Sequence, residues 1–190
     1  MLSKVICRRS LRVLTSFCLV VTGITVYAEE SPSSGLLYSV GAGVYAHDID
    51  LDWAHDSEED GVNYNVELVL QRTSWALWGG KFHPNLGVSI NDSGDTSFLY
   101  AGLLWSYPLA GNITFNSGIN LVVHDGETTA DIPGSKRLGS RVLFRIPIEI
   151  GYDFNQKNGV YLVFEHLSNA SIENPNEGMD SLGVRYQYRF

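Results

Sequence analysis

Val160-Tyr161-Leu162-Val163-Phe164-Glu165-His166-Leu167-Ser168 and, past a loop over 169–178, Asp180-Ser181-Leu182-Gly183-Val184-Arg185-Tyr186-Gln187-Tyr188-Arg189-Phe190 decide how this chain folds. Side chains two apart on a strand share a face. The even positions Val160, Leu162, Phe164, Leu182, Val184, Tyr186, Tyr188 and Phe190 are apolar. The odd positions include Glu165, Arg185, Gln187 and Arg189. This alternation predicts a hairpin over 160–190 with one greasy face and one charged face. His166 and Ser168 continue the even register of the first strand, and Asp180 opens that of the second. Three reactive side chains therefore stand at the edge of one apolar stripe.

Working back from that hairpin, the same alternation recurs. Leu36, Tyr38, Val40, Ala42 and Val44 alternate with Ser39, Gly41 and Gly43; Tyr64, Val66, Leu68 and Leu70 alternate with Asn63, Asn65 and Glu67. Leu86, Val88 and Ile90 form a third stripe, and Ile113, Phe115, Ile119, Leu121 and Val123 a fourth. Val142, Phe144, Ile146, Ile148, Ile150, Tyr152 and Phe154 face away from Arg141, Arg145, Glu149 and Asp153. The stretch 97–107 is apolar on both faces, so its pattern sets no orientation. Residues 73–80, with Trp75 and Trp78, read as a turn with interfacial aromatics, while 91–95, 108–112 and 155–159 read as turns and 125–138 as a longer loop. The stretch 47–61 holds Asp48, Asp50, Asp52, Asp56, Glu58, Glu59 and Asp60 and no basic residue. Lacking the ligand spacing of a calcium loop, it reads as a solvated acidic loop.

Eight strands follow, each with one apolar and one polar or small face. The polar face carries Glu67, Arg141, Arg145, Glu149, Glu165, Arg185, Gln187 and Arg189, enough charge of both signs to cross-pair inside a narrow lumen. Eight strands of this length, joined alternately by tight turns and long loops, predict an all-β fold: an eight-stranded antiparallel transmembrane β-barrel. Closure lets strands span lipid because no backbone edge stays unpaired. The structural rival is a soluble lipocalin-like barrel with its apolar alternates turned inward. An even strand count puts both termini on the periplasmic side and the long loops outside.

The first 28 residues differ from the rest. Lys4, Arg8, Arg9 and Arg12 precede an apolar run from 13 to 27, and Val26-Tyr27-Ala28 offers a small residue for cleavage. This is the pattern of a secretory signal peptide over 1–28, leaving 29–190 as an outer-membrane barrel whose chemistry lies in the hairpin 160–190. Cys7 and Cys18 both fall in that leader, so the mature chain would have no disulfide or thiolate metal site. Removing the leader's four basic residues takes the formal charge from −8 to −12, an acidity that argues against nucleic acid as a partner. His47, His55, His83 and His124 are scattered without metal-ligand spacing, so neither metal nor cofactor is expected.

Residue chemistry suggests roles for the trio. A serine hydroxyl is a weak nucleophile and needs a base; His166 sits two residues away on the same face, and Asp180 across the strand pair can hold the imidazole tautomer. Asn169, Asn176 and backbone N–H groups near Gly178 offer oxyanion donors. The stretches His166-Leu167-Ser168-Asn169-Ala170 and Asn174-Pro175-Asn176-Glu177-Gly178-Met179-Asp180 resemble the outer-membrane lipid A 3-O-deacylases of the PagL type. The resemblance is dense over these two short stretches and only general upstream of 160. It implies Ser168 as nucleophile, His166 as base, Asp180 as orienting acid, and Asn169 and Asn176 serving the oxyanion. One position departs: the family's acid is usually glutamate, and here it is Asp180. The resemblance implies a membrane-embedded, cofactor-independent serine esterase acting on lipid A or lipopolysaccharide. A homodimer is compatible with it, and nothing in the sequence decides the point. A non-enzymatic barrel serving adhesion or membrane integrity, and an outer-membrane phospholipase, remain the alternatives.

Overall fold

The computed structural model describes residues 35–51, 54 and 57–190, together with the backbone of Thr25–Val26. Apart from that dipeptide, the expected signal peptide lies outside the described residues. Eight long strands follow: β1 (Leu37–Ala46), β2 (Val62–Leu70), β3 (Gly80–Asn91), β4 (Phe98–Ala110), β5 (Ile113–His124), β6 (Val142–Asp153), β7 (Asn158–Ser168) and β8 (Met179–Arg189). Each pairs antiparallel with the next, and β8 pairs with β1 from Leu182↔Ala46 to Arg189↔Ser39. The sheet is thereby closed and forms a transmembrane barrel without an open edge. Between β2 and β3, the short strand Trp75–Leu77 turns back into β3 through Trp78 and Gly79, both at positive φ. The region expected to be only a turn thus extends the sheet, and Thr25–Val26 pairs with it.

The apolar stripes face outward. Val44, Val66, Leu86, Leu121, Ile150, Leu162 and Val184 are all exposed on the barrel wall. At the end with the short turns the wall is ringed by aromatics, with Trp105 stacked on Tyr107 and Tyr152 edge-on to Phe154. Such a girdle marks a membrane–water interface. The opposite end carries the longer connections 47–61, 125–141 and 169–178.

The inward face is polar and fully packed at mid-height. Arg145 Nε donates to Glu165 Oε2 at 2.6 Å, Arg185 Nη2 to Glu149 Oε2 at 2.7 Å, and Arg185 Nη1 lies 2.9 Å from Glu67 Oε1. All five side chains are buried to within a percent or so. Burying charges is tolerable only when each is paired and its remaining polar atoms are hydrogen-bonded. Asn120, Asn116, Asn85 and Tyr100 supply some of these bonds, and Arg145 Nη2, Arg185 Nε, Glu149 Oε1 and Glu165 Oε1 are left without one among the described residues. Glycines make room for the large groups: a Cβ on Gly183 would lie 2.1 Å from the Tyr45 ring. Arg141 does not join this network. It precedes β6, is exposed, and donates to the Gly126 carbonyl.

Two strands needed coordinates for their orientation. β4, apolar on both faces, turns Phe98, Tyr100 and Leu104 inward and leaves Leu99 on the wall. Phe98 and Tyr100 join Val122, Leu138, Leu143, Leu167 and Met179 in an apolar plug at the loop end of the lumen. In β1, a register shift between Leu37 and Ser39 re-aims Tyr38 onto the His83 ring, 4.7 Å away, instead of outward.

Candidate active site

β7 and β8 place the trio by register alone. His166 is the direct cross-strand partner of Asp180, and Ser168 follows His166 on the outward face at the loop end of β7. His166 Nδ1 and Asp180 Oδ1 are 2.7 Å apart. Because the carboxylate can only accept, Nδ1 carries the proton and the basic lone pair falls on Nε2. Asp180 stands in the outward register yet is fully buried, while His166 and Ser168 are partly exposed. Its cover is the connection 47–61: Ala54 N–H donates to Asp180 Oδ2 at 3.1 Å, and Ile49 N–H to the Asp180 carbonyl at 2.8 Å. An acid on a lipid-facing wall, costly if bare though less so than the about 2–4 kcal/mol of a basic residue at mid-depth, is thus satisfied at both oxygens near the rim.

The expected oxyanion residues shape the connection 169–178. Asn169 is buried, and its Nδ2 reaches the carbonyls of Leu138, Glu173 and Pro175 at 3.0–3.1 Å. Its N–H donates to Asn176 Oδ1 at 2.9 Å, and Asn176 Nδ2 donates to Ser171 Oγ at 3.4 Å. Ala170, Ser171 and Gly178 all adopt positive φ. Gly178 lies against the imidazole, since a Cβ there would sit 3.3 Å from His166 Cε1. A side chain at that position would meet both strain and the ring.

A second set of residues, not foreseen from the sequence, ties the loops together. Arg137 N–H and Nε donate to Glu177, whose own N–H returns a bond to the Arg137 carbonyl. Burial pushes the Glu177 carboxyl up, but those Arg137 bonds outweigh it and hold it below the usual range. Gly139, at φ +77°, lets 125–141 approach so closely that a Cβ would fall 1.9 Å from the Pro175 carbonyl. The acidic loop is only partly the solvated segment expected: Asp50, Glu58 and Asp60 are exposed, and Asp52 and Asp56 lie outside the described residues. Asp48 and Glu59 are buried, Asp48 beside the equally buried Lys136 and Glu59 beside His47. Burial raises the Asp48 carboxyl above its ordinary value despite bonds from Glu58, Glu59 and Lys136. For Glu59 burial also pushes upward, and bonds from His47, Thr96 and Lys136 overcome it. One sequence signal could have exposed this: a loop with seven acids and no base, beside a later Lys136-Arg137 pair that needs partners.

A family model described as Lipid A 3-O-deacylase (PagL) matches residues 58–189, well over half of the chain. The chain belongs to that family. Over 74 residues it is also 35% identical to the lipid A deacylase PagL of Bordetella bronchiseptica, a segment spanning 39% of this chain and 39% of that relative's length. The crystal structure of the outer membrane enzyme PagL is similar in fold, with a TM-score of 0.62 at 22% identity, covering 80% of this chain and 99% of that one. Neisserial surface protein A is similar at a TM-score of 0.54 and 8% identity, over 80% of this chain and 97% of its own. A barrel shared this widely does not choose an activity; the wall of β7 and β8 has to do that.

Proposed function

We propose that this protein is a serine esterase of the outer membrane that removes the ester-linked acyl chain at the 3-position of lipid A, with its long loops on the outer side. Membership of the PagL family supports the reaction. The observation that carries the mechanism is the 2.7 Å His166–Asp180 contact on the lipid-facing wall, two residues from Ser168. His166 Nε2 takes the Ser168 hydroxyl proton as Oγ attacks the ester carbonyl. The tetrahedral alkoxide collapses, and His166 returns the proton to the departing sugar 3-oxygen, leaving an acyl-Ser168. Water, deprotonated by the same nitrogen, then releases the fatty acid. Asp180 fixes the tautomer and stabilises the imidazolium.

The loop 169–178 would receive the oxyanion. In this scheme Asn169 braces the loop, its amide being committed to three carbonyls. Asn176 Nδ2, held only by a long bond to Ser171, and backbone N–H groups beside Gly178 supply the donors. Because the site opens sideways, the substrate's acyl chains stay in hydrocarbon while the ester meets Ser168 at the rim. Mass spectrometry of lipid A from cells carrying wild type or Ser168→Ala tests this: the variant should lose the mass shift of one acyl chain, with turnover down at least about a thousandfold. Unaltered lipid A from wild-type cells would leave a non-enzymatic barrel. Release from phospholipid vesicles but not from lipid A would make the protein a phospholipase.

A further inference from the structure

The acidic connection 47–61 has no part in the proton transfers above, yet it grips Asp180 at two points. Ala54 N–H bonds one carboxylate oxygen while His166 holds the other, so the carboxylate cannot swing about its own axis away from the imidazole. Ile49 N–H fixes the backbone beneath it. Immediately before Ile49 stands Asp48, fully buried and at φ +43°, a conformation that a non-glycine residue holds only when its surroundings dictate it. Its hydrogen-bond partners supply that constraint. Asp48 Oδ2 accepts the Glu58 and Glu59 N–H groups at 2.7 and 3.0 Å, and Oδ1 lies 3.4 Å from Lys136 Nζ.

Lys136 fastens the loop twice, by its ammonium at Asp48 and by its N–H at Glu59 Oε1, 3.0 Å away. Glu59 in turn takes His47 Nε2 at 2.9 Å and both the N–H and hydroxyl of Thr96. A fully buried ammonium–carboxylate pair is a poor way to gain stability, since well-packed apolar side chains of similar volume do as well or better. What such a pair does supply is registry. We propose that the connection 47–61 is a positioning element for Asp180, and that Lys136 is the residue that locks it in place. This rests on the reading that Asp180 acts through His166.

The test uses the purified full-length barrel hydrolysing lipid A in detergent micelles, with heat-modifiable gel migration reporting the fold. Ala54→Pro deletes the N–H that meets Asp180 Oδ2, and Lys136→Met removes the ammonium beside Asp48 while keeping the N–H bond to Glu59. Each should lower kcat about tenfold or more with KM within about twofold, as a misplaced catalytic group does. Neither should lower kcat further in an Asp180→Asn background, because residues acting through one another are not additive. Wild-type kcat in Ala54→Pro overturns the proposal. So do losses that multiply with that of Asp180→Asn, which would mean a merely structural loop. Should Lys136→Met fail to fold, Ala54→Pro decides alone, since it changes a loop and no strand. If Asp180→Asn itself keeps full turnover, the trio falls, and this inference with it.

Discussion

The charges inside the barrel and the polar groups on its wall are built for different ends. Inside, Arg145, Arg185, Glu67, Glu149 and Glu165 pair with one another across the strands. On the wall, Asp180 is satisfied by one histidine and one loop, and Ser168 follows His166 two residues along the same partly exposed face. The inner cluster is closed upon itself, as a group of charges must be when nothing else can solvate it. The outer one is anchored at one end and open to the membrane at the other. Under the proposed function, polar groups set in a row toward a partly exposed hydroxyl are a layout for reaction, whereas mutual pairs are a layout for folding.

Replacing single members should separate the two. Asp180→Asn should have the largest effect, cutting kcat about a hundredfold to ten-thousandfold while gel migration stays that of a folded barrel. Steady-state hydrolysis of lipid A measures it, and a kcat near wild type would erase the distinction. Glu165→Gln should do the reverse. It leaves Arg145 buried beside a neutral amide, so urea unfolding should show about 3–5 kcal/mol less stability, with turnover per folded molecule close to normal.

A smaller effect concerns the loop cap. The Glu59 and Glu177 carboxyls are held below their ordinary values, so their contribution to loop order is present above the unfolded glutamate range and lost as pH falls through their folded values. Asp48, raised by burial, works in the opposite sense and loses its contribution as pH rises through its folded value. Protection against hydrogen exchange at 125–141 and 169–178, taken relative to the intrinsic exchange rate at each pH, should therefore fall once the pH drops below the ordinary glutamate range, while β6 and β7 amides keep theirs. Ser181→Ala is the smallest: this serine neighbours Asp180 but faces the lumen, fully buried, with no hydrogen-bond partner for its hydroxyl. Stability should shift by less than about 0.5 kcal/mol and turnover not at all.

Much of this was legible in the residue order because a strand's two-residue period converts sequence directly into inside and outside. That rule fixed the eight strands, the lumen charges and the shared face of His166, Ser168 and Asp180. It was silent for β4, where Leu99 and Tyr100 are both apolar and only the space beside Val122 and Leu143 decides which turns in. Tyr38 escaped it through a bulge. The loop cap escaped it altogether: Asp48 and Lys136, or Asn169 and Leu138, meet across long separations in segments without any period. Acidity alone suggested solvent for 47–61, when the missing counter-charge lay in another loop.

The blocked bore has a last consequence. With mid-height closed by side chains and the outer mouth stoppered by Leu138, Leu143 and Phe98, the cylinder is a post rather than a pipe. Under the proposed function, substrate then reaches Ser168 only by movement in the plane of the membrane. Turnover should then track the surface density of substrate in the bilayer plane, and diluting vesicles in buffer should leave the rate per embedded molecule unchanged.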